Sequence, residues 1–422
     1  MAGNSLLTVD MITSEAVRLF KNSNLFIMNM DTQYDPAFAI DGAKIGSTLR
    51  IRLPNDYIVR QGPAMQLQNT TEQSVTLSVT DQRGVDVPFL SSERTMAIDD
   101  YSEIVIAPMI NNLAGKVAAA VMLGSEGGVC NFVSNVDGTA AANAVSATGK
   151  IISPTSEQFL LGNALLDDNS ADPMTRRIVN DPTTDARTTV SLQGLFKPTP
   201  EISAQFRTGM MKSGLGYERW FRDQTVIKHT AGTFSAGGTV NGGGQTTAST
   251  GGAVTVNAIT GTLKKGDFVT IDNVNAVNMV TKQSLGTLRQ FCVTADCITG
   301  ATSIPLFPGI IGPTTAGGPD QQYQTVDSLP ANGAQVRLLC QSGEVFRKSI
   351  AYVQKAVTLA TADLVLVKDA VVECARANYD GVSIRVLTDY LTGTDQLVTR
   401  TDVLFGFLYI RPQWLACVAD KV

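Results

Sequence analysis

The sequence predicts an α+β protein in which a β-rich excursion interrupts a body of mixed helix and strand. Three observations point there. Residues 48–53 and 74–80 alternate apolar and polar side chains with period two, and the stretch ending at Leu123 carries an apolar stripe at helical spacing. A shift to Gly, Thr, Ser and Ala over 231–256 then opens a run of short strands, after which mixed helix and strand resume from about Gly343. At 422 residues the chain is too long for one ordinary core, so several domains, or one domain with a large insertion, are expected.

Taken in order, Ile12, Ala16, Leu19 and Phe20 recur at helical spacing after Asp10 and predict a short amphipathic helix. Residues 21–47 show no sustained period and read as an arm lying along another surface. Leu49, Ile51 and Leu53 then face one way and Arg50 and Arg52 the other, while Val75, Leu77 and Val79 supply an antiparallel return strand. A two-stranded ribbon is marginal in water alone, so its apolar face is expected to rest on the body of the chain or on a neighbouring copy. The latter is the more attractive beside an irregular arm, and arm and ribbon together are expected to present apolar faces that sister molecules cover.

Ser91 and Ser92 are expected to cap a long helix running to Leu123, with Ile106, Ile110, Leu113, Val117 and Val121 on one stripe and a length near ~40 Å. Pro108 should kink it or mark its true first turn. Residues 129–225 read as mixed structure, with Asn180 to Asp185 as an irregular polar loop. Gly242-Gly243-Gly244 is flexible or tightly turned, and Phe268–Ile271, Gln290–Thr294 and Gln335–Leu339 are strands spaced for a small β-barrel. Val403–Ile410 is a good central strand.

The formal charge of -5 and the pI near 5.1 argue against a dedicated nucleic-acid binder, which would cluster Lys and Arg. Arg50, Arg52 and Arg60, then Arg176 and Arg177, then Lys264 and Lys265 are the largest basic groupings; each reads as a solvated face and as a source of ion pairs between subunits. The six cysteines form no CxxC and read as free thiols. No signal-peptide pattern opens the chain, and the longest strictly apolar run, Val117 to Leu123, is too short to span a bilayer.

Chemistry is scarce. His229 is the single histidine, without GxSxG, so it reads as structural or solvated. Gly149-Lys150 lacks the remainder of a phosphate loop, and Gly214-Leu215-Gly216 reads as a packed turn. Asp99-Asp100 reads as helix N-terminal charge and Asp167-Asp168 as a solvated loop. Trp414 reads as a packing anchor. No catalytic, cofactor or metal residues are assigned, and no enzyme activity or cofactor is expected.

The order of arm, hairpin, long helix, mixed domain, β insertion and return resembles the major capsid proteins of tailed bacteriophages, in the subgroup typified by short-tailed Salmonella phages, whose coat carries an inserted β-barrel. Three segments carry the resemblance: Ile110-Asn111-Asn112-Leu113-Ala114-Gly115-Lys116-Val117-Ala118, like that family's spine helix; Met211 to Ala231, with GLGYERWFRDQTVIKHTA, like its crossing into the insertion; and Gly261 to Ile271, GTLKKGDFVTI, like a strand-turn-strand of the barrel. The glycine-rich entry at 237–252 and the loop at 312–322 match nothing in the family.

The resemblance implies a capsid fold divided into an N-terminal arm (1–47), an extended hairpin (48–88), a spine-helix peripheral domain (89–150), the first part of an axial domain (151–228), the inserted β-barrel (229–342) and a return through the axial and peripheral domains (343–422). It implies pentamers and hexamers in an icosahedral shell around double-stranded DNA, with scaffolding, portal and possible decoration proteins as partners, and a virion location after synthesis in host cytoplasm. In that family the hairpin lies over the adjacent subunit. Arg50, Arg52, Asp56, Arg60 and Glu72, with Asp181 and Asp185 from the polar loop, are the candidate contacts between subunits. Two other readings remain: a tail-fibre or glycan-binding phage protein, disfavoured by the central helix and the lack of a regular repeat, and a cellular cargo-enclosing shell protein of the same fold.

Overall fold

The structure is a computed structural model that describes residues 9–32, 48–57, 59, 62–65, 67, 73–90, 107–138, 146, 149–191, 213–249, 251–313, 321–366, 371–379 and 381–422. In chain order it forms α1 (Val9–Ser23), α2 (Leu25–Met28), β1 (Thr48–Arg52), β2 (Ser74–Ser78), β3 (Asp81–Leu90) and α3 (Ala107–Gly124). There follow β4 (Asn131–Val133), β5 (Asn135–Asp137), β6 (Lys150–Ile152), α4 (Ser156–Asp168), β7 (Arg176–Asn180), α5 (Pro182–Ser191), β8 (Arg219–Arg222) and β9 (Lys228–Thr230). The excursion contributes β10 (Gly252–Thr255), β11 (Phe268–Val277), β12 (Ser284–Val293), β13 (Ser303–Phe307) and β14 (Val336–Leu338). The return contributes β15 (Val345–Val353), β16 (Val357–Ala362), β17 (Glu373–Tyr379), β18 (Val382–Leu391), β19 (Gln396–Tyr409) and β20 (Leu415–Lys421). Two compact units result: Met1–Arg52, Ser74–Val121 and Val357–Ile410 in the first, and Leu53–Gln73, Met122–Ala356 and Arg411–Val422 in the second.

The first unit is built on β19, whose fourteen residues pair with β18 and then β16 along one edge and with β3 along the other. Val403 and Phe405 are fully buried in it, so the apolar run near the C-terminus is a central strand as its composition predicts. The helix α1 presents Ala16, Val17 and Phe20 to β17 and β18 and buries all three completely. Asn24 caps α2 by accepting hydrogen bonds at Oδ1 from the amides of Phe26 (2.9 Å) and Ile27 (3.1 Å). Phe26, Ile27 and Met30 are buried beyond it, and the Asp31 amide donates to Val357 O at the start of β16.

The hairpin pairs as its alternation requires, with Leu49 opposite Leu77 and Ile51 opposite Val75. Ile51, Leu77 and Val79 are buried within the same chain, and β2 packs against β19. Gly406 permits that approach, because a Cβ there would run into the Ser78 carbonyl. The expectation that arm and ribbon leave apolar faces for sister molecules to cover is therefore corrected for α1, α2 and these strand residues. Both elements find cover on the sheet around β19.

In α3, Ile110, Leu113, Ala114, Val117, Ala118 and Val121 make one buried stripe, and the Tyr409 hydroxyl donates to Val121 O at 2.6 Å. Pro108 lies in the first turn, where its missing N–H has no helical partner to lose. The described part of the helix is 18 residues, about 27 Å at 1.5 Å per residue. The residues expected to extend and cap it, 91–106 with Ser91, Ser92, Asp99 and Asp100, lie outside the described residues.

In the second unit a sheet ordered β4-β20-β15-β7-β8, with β9 also on β15, carries α4 against β20 and β4. A second sheet, ordered β10-β13-β12-β11-β14, is antiparallel throughout. Its edge strands β10 and β14 are not paired with each other, so the strand ladders stop short of the closed barrel that the spacing suggests. Isolated bridges from Thr239 to Gln335 and from Val240 to Val256 lie beside those edges. The triple glycine is tightly turned: Gly242 and Gly244 have φ of 92° and 72°, and the Gln245 side chain bonds Asn241 O, Gly242 O and both backbone groups of Thr255.

Three sequence expectations fail in this unit. Asn180 to Asp185 is not an irregular loop: Pro182 opens α5, and Asp181 stands before it with Oδ2 accepting from the Thr183 amide at 2.9 Å. Arg176 and Arg177 are not a solvated face but are 1% and 8% exposed on β7. Asp167 and Asp168 end α4 instead of lying in a loop, and Asp167 bonds Arg176 at 2.5 Å.

Candidate subunit-contact surface

The alternation that turns Ile51 inward turns Arg50 and Arg52 outward, and both are exposed. The Arg50 Nε donates to Ser74 Oγ on the paired strand at 2.8 Å, which fixes its stem while leaving the rest of its guanidinium on the surface. Between the strands, residues 53–73 belong to the second unit, where Gln73 Nε2 donates to Ser249 Oγ at 2.7 Å. Asp56 is exposed there, with the cations of Lys282 and Arg411 within electrostatic reach. Arg60 and Glu72 lie outside the described residues. The tip also holds large apolar groups in the open: Tyr57, Val59, Met65 and Leu67 are 62%, 90%, 78% and 84% exposed. The alternation of the strands could not reveal this patch, because the tip has no period.

The two aspartates assigned to a surface loop are engaged inside the second unit. Asp181 pairs with the Arg347 guanidinium at 3.1 Å. Asp185 is 2% exposed and lies 3.5 Å from Arg222. Burial pushes its carboxyl above the usual aspartate range, against the opposing pull of Arg222 and of the nearby Asn180 side chain. Neither residue joins Arg50, Arg52 and Asp56 on an open surface.

The crossing into the excursion is pinned by a buried polar cluster that sequence reasoning missed. His229 on β9 lies 2.8 Å from Asp267 Oδ1 through Nε2 and 3.1 Å from Glu126 Oε1 through Nδ1. The other Asp267 oxygen accepts from the amides of Gly232 (3.0 Å) and Lys264 (2.7 Å), and Lys348 Nζ donates to Gly266 O at 3.0 Å. Desolvation raises the Glu126 pKa, but its bond to His229 and the charges of Lys348, His229 and Lys265 leave it below the usual glutamate range. A histidine between two carboxylates resembles the base of a hydrolase, yet His229 is 2% exposed and Asp267 fully buried, so no substrate reaches the imidazole. The cluster ties β9, the turn before β11 and β15 together. Its partners stand 103 and 38 residues from His229, which is why no local motif announced them.

The other singled-out residues are structural too. Gly214 and Tyr217 bridge across a packed turn, and Trp414 donates from Nε1 to Asn169 O at 3.0 Å under the Arg411 guanidinium. All six cysteines are free, and burial pushes the Cys130 thiol up to about 12. Among the described residues no cluster suited to a metal occurs, and no helix is long and apolar enough to cross a membrane.

The paired hairpin, the helix-backed sheet and the β-rich excursion are the described elements on which the resemblance to shell-forming coat proteins rests. The family model described as "P22 coat protein - gene protein 5" matches residues 1–417, and the chain belongs to that coat protein family. It is a phage capsid protein with a structural role, its place is the virion shell, and many copies build that shell. No curated protein matches the chain. Among solved structures, a chain of Mycobacterium phage Che8 is similar at 8% identity and a TM-score of 0.43, over 94% of this chain and 90% of that one. The capsid of cyanophage P-SCSP1u is similar at 11% identity and 0.41, over 89% and 84%. The CUS-3 coat protein I-domain aligns at 25% identity and 0.20, over 25% of this chain and 95% of that domain.

Proposed function

We propose that the protein assembles into pentamers and hexamers that close an icosahedral head around double-stranded DNA, and that the hairpin tip is one of the joints between neighbouring subunits. The exposed apolar group of Tyr57, Val59, Met65 and Leu67 carries this reading, with Arg50, Arg52 and Asp56, which adjoin it in the chain, as polar contacts. Arg60 and Glu72 join them by position in the sequence. Exposed ion pairs contribute only about 0–1 kcal/mol each, so apolar burial at the tip supplies the adhesion and the charges set the register. The division into arm, hairpin, peripheral, axial and inserted domains belongs to the same reading.

Scaffolding and portal proteins are the partners such a shell requires, its outer face has room for a decoration protein, and synthesis in host cytoplasm precedes assembly. The negative net charge fits enclosure of DNA without sequence-specific binding. The function is structural and not enzymatic. The test is deletion of residues 61–72 joined by a short turn: the circular dichroism and unfolding transition of the body should persist while closed particles are lost in electron micrographs. Normal particles from the deletion would refute the role of the tip.

A further inference from the structure

A cleft of about 430 Å³ opens within the second unit between the C-terminal half of α4 and strands β4 and β12. Its volume falls in the range of small-molecule sites. Leu161, Leu165, Leu285 and Leu288 line its sides, and Leu161 and Leu288 keep 48% and 39% of their surface uncovered. One end is closed by Gln290, whose amide bonds both backbone groups of Phe132 as another strand would. At the floor is Arg289, 5% exposed.

That guanidinium is incompletely matched. Its Nε has no hydrogen-bond partner, and Nη1 reaches only Asn169 Oδ1, at a long 3.4 Å. Among the described residues no carboxylate lies within ion-pair distance of it; Asp168 and the Cys130 thiol act on it from farther away, and the thiol, held at about 12, is neutral near pH 7. A buried cation without an ion pair is costly, and a fold keeps one where something else completes it. The remaining charge in the cleft, Asp168, disfavours a dianion such as phosphate. One buried guanidinium in a cleft lined by leucines fits a monoanion on a hydrocarbon stem.

We propose that this cleft binds a small amphiphilic carboxylate, with its head group on Arg289 and its alkyl chain along Leu161, Leu165, Leu285 and Leu288. The site is independent of the hairpin and of the assembly reading.

Trp414 provides the readout, since its indole donates to the carbonyl of the same Asn169 that contacts Arg289. Octanoate, octanol and octylamine are titrated into the full-length protein, with binding followed by tryptophan fluorescence and calorimetry. Octanoate should bind at least about tenfold more tightly than octanol, the factor expected of a charge-assisted contact, and octylamine more weakly still. Asp168→Asn should tighten octanoate binding by removing a competitor for the guanidinium. Arg289→Gln should abolish the preference for octanoate over octanol. Equal binding of octanoate and octanol to the unaltered chain, or no octanoate binding, would overturn the proposal even if Arg289→Gln fails to fold.

Discussion

At the scale of single residues, the charged side chains carry most of the surprises. Arg176 is 1% exposed, and its guanidinium meets Asp167 Oδ1 at 2.5 Å, Ala171 O at 2.8 Å, Asp172 O at 3.2 Å and both the side chain and the carbonyl of Asn163. Its partners are three main-chain carbonyls and the side chains of Asn163 and Asp167, gathered by the fold from α4 and the turn after it, so a pair of arginines in sequence gives no hint of the burial. Arg176→Met should cost roughly 3–5 kcal/mol in urea unfolding, because it leaves buried acceptors unmatched. Asp185 behaves in the opposite sense. Its folded pKa is raised, so the folded state binds the proton more tightly than the unfolded chain does. Its contribution is therefore favourable at low pH and is lost as pH climbs from the unfolded aspartate range through the raised folded value. Asp185→Asn should flatten that part of the stability-versus-pH curve and leave stability at pH 7 equal or higher; a marked loss there would show that the Arg222 pair outweighs the burial.

At the scale of elements, regular period and burial go together. The hairpin register and α1 could be read from alternation or helical spacing, because each has one face in the core and one turned outward, and the central strand β19 from its nearly unbroken apolar run. The helix α5 escaped because Thr183, Thr184, Thr188 and Thr189 give it no apolar stripe; yet Asp181 before Pro182 is a helix-start signal, and it prevails over the polarity of the helix body. The cover over the ribbon was also beyond local reasoning, since it depends on Gly406 more than 300 residues away accepting the Ser78 carbonyl against its α-carbon. Gly406→Ala should displace β2 from β19 and destabilise the first unit by roughly 1–3 kcal/mol, read as an earlier unfolding transition. An unchanged transition would show that the strands tolerate a wider spacing.

At the scale of the whole molecule, the surface proposed for assembly is smaller than the sequence suggests. The arm helices and the strands of the ribbon satisfy themselves on their own chain, so incompleteness of those faces does not drive assembly. Tyr57, Val59, Met65 and Leu67 of the hairpin tip stay exposed, and in the proposed reading they form a joint that is weak singly and that a closed shell repeats many times. The candidate contacts were legible only in part: outward placement of Arg50 and Arg52 comes from strand period, whereas the fate of Asp181 and Asp185 depends on Arg347 and Arg222, which the fold brings to them.

Electron microscopy of the purified full-length chain, with sedimentation velocity on the same sample, tests this account most directly. Uniform closed particles or ring-shaped capsomers, coexisting with free subunits at lower concentration, are the predicted result. A species that stays monomeric at every concentration, with and without co-expressed scaffolding protein, would contradict it.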